Sequence, residues 1–245
     1  MLNTIKAEFR KLYTIRSTYF VSALGLVLMG FVAFYVEGFR GEASLLQPDK
    51  IQTLMLSSAN LLSIFAAIIA VLLVAHEYRY NTIMYTLTSS NSRTKVLVAK
   101  LLAILTHALC YTVVGVALAV LLMYIGMSFK DMSLYATQTI AWGDVIWRSL
   151  FSVLSYAALG LLLGLLFRNV VGAFITLFMA PATVEPLLGL LLKENVKYLP
   201  FHASDQVINS TATGLSHGTA ALLFGGYLAV GYLVALILLL KRDAN

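Results

Sequence analysis

Charged residues are confined to short segments of this sequence, and the stretches between them are long and apolar. Charge-free runs cover 17–36, 51–76, 101–129, 149–167 and 206–240, and a sixth, 169–184, resumes after Glu185. A helix needs about 18 or more apolar residues to cross roughly 30 Å of hydrocarbon. Only 11% of the 245 residues are charged, whereas about a quarter is typical of soluble domains. The sequence therefore predicts a polytopic membrane protein and excludes a soluble enzyme, a nucleic-acid module and a disulfide scaffold.

The order of these runs predicts an all-α fold with one membrane domain over 1–245. An even number of spans places both termini on one side, which we expect to be cytoplasmic. That side receives 11 of the 17 Lys and Arg residues, in the direction of the positive-inside rule. The formal charge of +6 is thus explained by topology and needs no nucleic acid. The six predicted spans are 18–36, 54–75, 99–125, 146–167, 170–192 and 219–240.

The segment before the first span, 1–17, has a different pattern. Apolar side chains recur at three- and four-residue steps, as in Leu2, Ile5 and Phe9, while Lys6 and Arg10 occupy the remaining surface. On a helix this gives an apolar stripe beside a basic face, which is typical of a helix lying in the membrane interface. The alternative is that the basic residues only enforce the topology.

The predicted cytoplasmic loop between spans two and three, 76–95, is too apolar for a plain solvated connector. Tyr80, Ile83, Met84 and Leu87 fall at helical spacing, so a short helix would present one apolar face. An exposed amphipathic turn with aromatic anchors is typical of a docking surface. The alternative is an interfacial helix under the lipid headgroups.

This loop resembles that of permease subunits of type-2 ABC exporters. The resemblance rests on Glu77-x-Arg79-x-x-Thr82, a later Ser92-Arg93 pair and Lys100 at the start of the next span. The segments 159–164 and 167–169 also resemble the family at the turn between its fourth and fifth spans. The family often has glycine at the position of Asn81, and asparagine also tolerates a positive φ.

The resemblance implies an elbow helix, six spans and a coupling helix that sits on a separate ATPase subunit. Two ATPase copies and a second permease chain, identical or a sister, would complete the exporter. ATP and Mg would be bound by that partner, because the chain has no Walker A loop and holds no cofactor of its own. We therefore expect no enzymatic activity in this chain. The predicted docking residues are Glu77, Arg79, Tyr80, Thr82, Ile83, Met84 and Leu87.

Span five carries an acid at membrane depth. Glu185 lies about 15 residues, or roughly 22 Å, from the start of that span, and Pro181 and Pro186 flank it. Each proline removes a backbone donor, and broken backbone is tolerated in a membrane only where protein or water covers it. We predict that span five breaks near 181–186 and forms an outer re-entrant hairpin that acts as an external gate. The alternative is a shorter span with Glu185 among the headgroups.

A few polar groups within the spans are candidates for lining a transport path, namely His107, Tyr111 and Ser155. Such groups more often bond to their own helix or join neighbouring helices. Gly160 and Gly164 form a small-xxx-small face that favours close helix packing. His76-Glu77 lacks the second histidine of a zinc-binding HExxH pattern, so no metal site is predicted.

These patterns favour an exporter permease in a bacterial plasma membrane. Its mostly apolar spans suit an amphipathic or hydrophobic substrate, such as a peptide, an antibiotic or a lipid-like molecule. The alternative is a self-contained secondary transporter or channel, which would need inverted repeats and paired charges at the midplane.

Overall fold

The computed structural model describes residues 2–40, 48–89, 92–129, 140–209 and 214–241. Within these ranges the regular structure is helical and includes no strand, as predicted. The α-helices are α1 (Leu2–Thr14), α2 (Arg16–Phe31), α3 (Pro48–Arg79), α4 (Ile83–Ser89), α5 (Arg93–Met127), α6 (Trp142–Phe167), α7 (Val170–Met179), α8 (Glu185–Leu192), α9 (Pro200–Ile208) and α10 (His217–Lys241). Two π-helical segments continue α2 over Val32–Phe39 and α7 over Ala180–Val184, and Lys193–Tyr198 is a 3₁₀-helix.

Six helical stretches are long and apolar enough to cross a membrane, which confirms the predicted number of spans. They are Arg16–Phe39, Gln52–Arg79, Arg93–Met127, Trp142–Phe167, Val170–Tyr198 and His217–Lys241. Each extends beyond the apolar segment predicted for it, because charged and polar residues at the ends continue the helix. The segment before them, predicted as an amphipathic helix, is helical over α1.

The centre of the bundle is formed by α3 and α6. In their most apolar windows 67% and 61% of residues are buried, against 11% to 33% in the other spans. The two helices approach closely at Gly160 and Gly164, where Cβ atoms would meet Ala67 and Val74 of α3. The predicted role of these glycines in helix packing is therefore confirmed, because small residues let two backbones come together.

Both ends of the described chain lie at one end of the bundle, which we call the terminal face. The Arg93 guanidinium at the start of α5 donates to the Leu239 carbonyl near the end of α10, at 2.6 Å. Lys100, two turns further along α5, pairs with Glu8 of α1 at 2.8 Å. The loop containing α4 is on the same face, since Thr86 bonds to Lys11 of α1 at 2.8 Å.

At the other end of the bundle the chain folds back after α8. Lys193 has a positive φ of 50° and starts the 3₁₀-helix that returns the chain. The Tyr198 carbonyl then accepts a hydrogen bond from the Tyr227 hydroxyl on α10, at 3.0 Å. The reversal is thus at 193–199, and not at the predicted 181–186, where the helix loosens into its π-helical segment but continues. A π-helical turn absorbs Pro181 because its wider ladder accommodates a missing donor.

Candidate functional site

The coupling segment, residues 76–89, is a helix end, a tight turn and the short helix α4. The turn is made by Asn81, whose φ of 54° lies in the left-handed region. Asparagine is one of the few residues other than glycine that occupy this region readily, because its short side chain bonds locally. The turn directs α4 back under the end of α3 and towards α1.

Four charged side chains, Glu8, Lys11, Glu77 and Lys100, meet behind this segment and are called the charge cluster. The Lys100 ammonium donates to Glu8 Oε2 at 2.8 Å and to Glu77 Oε1 at 2.7 Å. The Lys11 ammonium donates to Glu8 Oε1 at 2.8 Å and to Glu77 Oε1 at 2.9 Å. Each lysine therefore bridges both glutamates, and α1, α3 and α5 are joined by one set of ion pairs.

The charge cluster is largely removed from solvent. The side chains of Lys100 and Glu8 are each 1% exposed and that of Glu77 is 8% exposed, while Lys11 is at the rim. The formal charges sum to zero, which is the condition under which charged groups are tolerated inside a protein. Burial lowers the pKa of Lys11, but the carboxylates of Glu77 and Glu8 raise it by more, so that it lies above its usual value.

The inner face of the coupling segment packs against the charge cluster. The third donor position of the Lys11 ammonium is used by the Thr86 hydroxyl on α4, at 2.8 Å. Ile83, the first residue of α4, is 2% exposed. Glu77 and Ile83, both predicted to contact a partner, are therefore turned towards the protein interior, since the charge cluster and the core behind α4 hold them there.

The outer face of the coupling segment exposes aromatic and apolar side chains. Tyr80 is 65% exposed, Met84 41% and Tyr85 77%, and Arg79 and Thr82 are also exposed. The side chain of Leu87 lies outside the described part of the structure. Sequence periodicity missed Tyr85, because the stripe through Ile83 was taken as the outer one. A groove of about 520 Å³ between α1 and α4 is lined by Thr4, Ala7, Tyr85 and their neighbours.

A second set of charged contacts holds α9 at both ends. Glu185 is 4% exposed, and its two carboxylate oxygens accept from the backbone N–H groups of Phe201 and His202, each at 2.7 Å. At the other end, Arg148 Nε donates to the Val207 carbonyl at 2.7 Å. Negative charge at a helix N-terminus and positive charge at its C-terminus both favour the helix dipole.

The residues predicted to form an external gate are all in this region. Glu185 caps α9, Pro181 is in the π-helical segment facing α9, and Pro186 occupies the exposed first turn of α8. Sequence analysis missed Arg148, which appeared only as one of the charges on the outer side. A buried arginine at the C-terminus of a short helix has no signature in the sequence, because its carbonyl partners are nearly 60 residues away.

A comparison with protein-family models gives one match, to the ABC-2 family transporter protein model, over residues 4–183. This is about three quarters of the chain and includes the charge cluster and the coupling segment. The chain belongs to the ABC-2 transporter family. The predicted family is thereby confirmed. A comparison with curated proteins gave no match.

Membership identifies the chain as a multi-pass membrane protein and a permease of an ABC transporter system. The family implies an ATPase partner and a non-catalytic role for the membrane subunit. The match ends inside the π-helical segment, so the α8–α9 region lies beyond it.

The path candidates of this ABC-2 permease pack among helices. The rings of His107 and Tyr111 stack at 6.0 Å, and the Tyr111 hydroxyl donates to the Ser22 carbonyl of α2 at 3.3 Å. The Ser155 hydroxyl donates to the Ser152 carbonyl of its own helix at 3.0 Å. These contacts are those of interhelical and intrahelical bonding, and a role in lining a path stays a prediction.

Replacing Lys193 by glycine should stabilise this ABC-2 permease. The backbone at Lys193 has φ 50° and ψ −118°, a region that side chains with a Cβ avoid, and relief of this strain is worth about 1 kcal/mol. We expect Lys193→Gly to raise the thermal denaturation midpoint of the purified permease. Lys197→Gly, which removes the same charge in the 3₁₀-helix where φ is not positive, should lower it. A lower midpoint for both variants would contradict the strain.

Proposed function

We propose that this chain is the permease half of an ATP-driven exporter that moves an amphipathic or hydrophobic substrate outward. Alternating access would be driven by a separate ATPase subunit, and two permease chains, identical or sisters, would act with two ATPases. The observation that carries the proposal is the coupling segment, whose exposed outer face is aromatic and whose inner face is bound to three other helices through the charge cluster.

The terminal face is proposed to be cytoplasmic. Lys6, Arg10 and Arg16 are exposed on or next to α1, and Arg79 and Lys95 are exposed on the same face. This excess of positive charge supports an inward orientation. A cytoplasmic terminal face presents the coupling segment to an ATPase, and α1 would lie in the inner membrane interface.

In this proposal the coupling segment divides its work between two faces. Arg79, Tyr80, Met84 and Tyr85 contact the ATPase, because large exposed aromatic and apolar side chains supply most of the binding free energy at interfaces. Glu77 positions the segment from behind through the two lysines. A push on α4 is then transmitted to α1, α3 and α5 together, since the charge cluster joins them.

The α8–α9 region is proposed to act as the external gate. Pro181 and Pro186 frame a helix segment that is not a regular α-helix, and Glu185 ties this segment to α9. Movement of span five would therefore move α9. The gate and the coupling segment are at opposite ends of the bundle, as alternating access requires.

The proposal is tested by co-purification of the ATPase from detergent-solubilised native membranes. We expect the double variant Arg79→Glu/Tyr85→Asp to lose the ATPase, because it reverses one exposed charge and places another on an apolar contact. Lys241→Glu, a charge reversal at an exposed position in the last turn of α10 on the same face, should retain it. Size-exclusion profiles would show that all variants remain folded.

A nucleotide-binding subunit retained by the double variant would contradict the docking surface. A folded permease that purifies without any ATPase would contradict the exporter, and would favour a self-contained transporter. Reversal at Glu77 is unsuitable for this purpose, because it breaks the charge cluster as well as any contact with a partner.

A further inference from the structure

A cavity of about 320 Å³ lies between α3, α6, span five and α9. Its position beside α9 places it next to the proposed external gate. Three groups of side chains form its wall: aromatic rings, aliphatic residues, and acidic or polar residues. The lining consists of Asn60, Ile64, Tyr156, Leu177, Phe178, Pro181, Glu185, Phe201, His202 and Asp205.

The aromatic part of the wall comes from three different elements. Tyr156 belongs to α6, Phe178 to α7 and Phe201 to α9, so the rings surround the cavity and do not form one stacked row. Aromatic faces carry negative electrostatic potential and attract organic cations, most strongly where water is excluded. Ile64 and Leu177 add an apolar surface suited to the body of such a molecule.

The charged part of the wall is acidic. Glu185 and Asp205 contribute two carboxylates, and the described lining includes neither lysine nor arginine. Glu185 is held by two backbone N–H groups and by His202 Nδ1 at 3.0 Å, so helix dipole and imidazole stabilise it without a permanent positive charge. The nearby lysines, Lys193 and Lys197, line a neighbouring cavity on the other side of α9.

Asp205 is the carboxylate more available to a ligand. It is exposed, and its Oδ1 atom accepts a hydrogen bond from the Asn209 amide at 2.9 Å. This contact is within α9 and neutral, so the negative charge of Asp205 is directed at the cavity without an ion pair among the described residues. Carboxylates beside aromatic rings in a partly dehydrated site favour positive charge.

We infer that this cavity binds organic cations with an apolar body, such as hydrophobic amines or phosphonium ions. The cation would lie among Tyr156, Phe178 and Phe201 near Asp205, with its apolar part against Ile64 and Leu177. The inference rests on the proposed function for its transport role, because it places a substrate subsite beside the gate. Binding itself requires only the permease.

The test is equilibrium binding of radiolabelled tetraphenylphosphonium to the full-length permease in lipid nanodiscs, without nucleotide or ATPase. Tetraphenylborate, an anion of nearly the same shape, serves as the ligand control. We expect saturable binding of the cation and none of the anion beyond its partition into empty nanodiscs. Because no ATPase is present, this result is independent of the co-purification experiment.

Substitutions then locate the site. Asp205→Asn keeps the size of the side chain and removes its charge, and should weaken cation binding about tenfold. Phe178→Leu, at a half-exposed ring, should weaken it several-fold through loss of the aromatic face. Glu194→Gln, which removes an exposed acid from the neighbouring cavity, and Phe20→Leu, at an exposed ring on α2, should bind as the wild type does.

Equal affinity for the cation and the anion, or unchanged binding in Asp205→Asn and Phe178→Leu, would overturn the inference. If the cation binds as expected but no ATPase co-purifies, the cavity is a cation site and the exporter proposal fails. If the ATPase co-purifies and the cation does not bind, the exporter stands and this subsite is rejected.

Discussion

Lys100→Met is expected to abolish most of the folded permease. The side chain is 1% exposed and holds Glu8 and Glu77 through bonds of 2.8 and 2.7 Å, so its removal leaves two buried carboxylates for the one remaining lysine. Breaking one partner out of a buried ion pair costs about 3–5 kcal/mol, a large part of the stability of a typical domain. The measurement is the yield of monodisperse protein and its thermal denaturation midpoint.

The same experiment has an internal rescue. Lys100→Met/Glu8→Gln removes one charge of each sign and leaves Lys11 paired with Glu77 at 2.9 Å. We expect this double variant to regain much of the lost yield, because the remaining buried charges sum to zero. Lys95→Met, one turn away on the same helix and exposed, should have little effect. A double variant no better than Lys100→Met would show that charge balance is not what stabilises this region.

Gly160→Ala is expected to be the most damaging of the small substitutions in the spans. A Cβ built at this position collides with the backbone of Ala67, and backbone cannot move aside as a side chain does. The two central helices, α3 and α6, must separate, at a cost of about 1–3 kcal/mol for a forced overpacking. A lowered thermal denaturation midpoint and a reduced yield in detergent would report it.

A matched glycine in another span provides the control. Gly225 lies in α10 with nothing within 4 Å of a built Cβ, so Gly225→Ala gains helix propensity without a clash. We expect an unchanged or raised denaturation midpoint for this variant. If Gly160→Ala were equally harmless, the close contact between α3 and α6 would be wrong.

The number of spans was predictable because hydrocarbon thickness imposes a length on each apolar run. The ends were not, because a helix continues past the apolar region whenever its polar residues find partners. Thus α5 begins at Arg93, where the guanidinium bonds to α10, before the predicted start at 99. The reversal at 193–199 was also missed, because prolines suggested an interruption nearer Glu185.

The candidate sites were predictable only in outline. Spacing along 76–95 indicated a short amphipathic helix, but it did not indicate which stripe faced outward, and Ile83 proved to be buried while Tyr85 is exposed. The charge cluster was not anticipated, since Glu8 sits in a basic segment whose charges suggested a solvated face. Its partners are up to 92 residues away, and pairings of that kind arise from packing and not from local sequence.

The long helix α3 connects the two functional regions as a single lever. It has neither glycine nor proline between positions 51 and 79, the usual causes of a sharp kink, and it runs from Asn60 at the cavity to Glu77 at the charge cluster. These residues are separated by about 25 Å of helix, so a tilt of roughly 5° applied at one end displaces the other by about 2 Å. A shift of that size is comparable to the radius of a water molecule, and it is enough to open or close a passage beside α9 without unfolding any part of the chain.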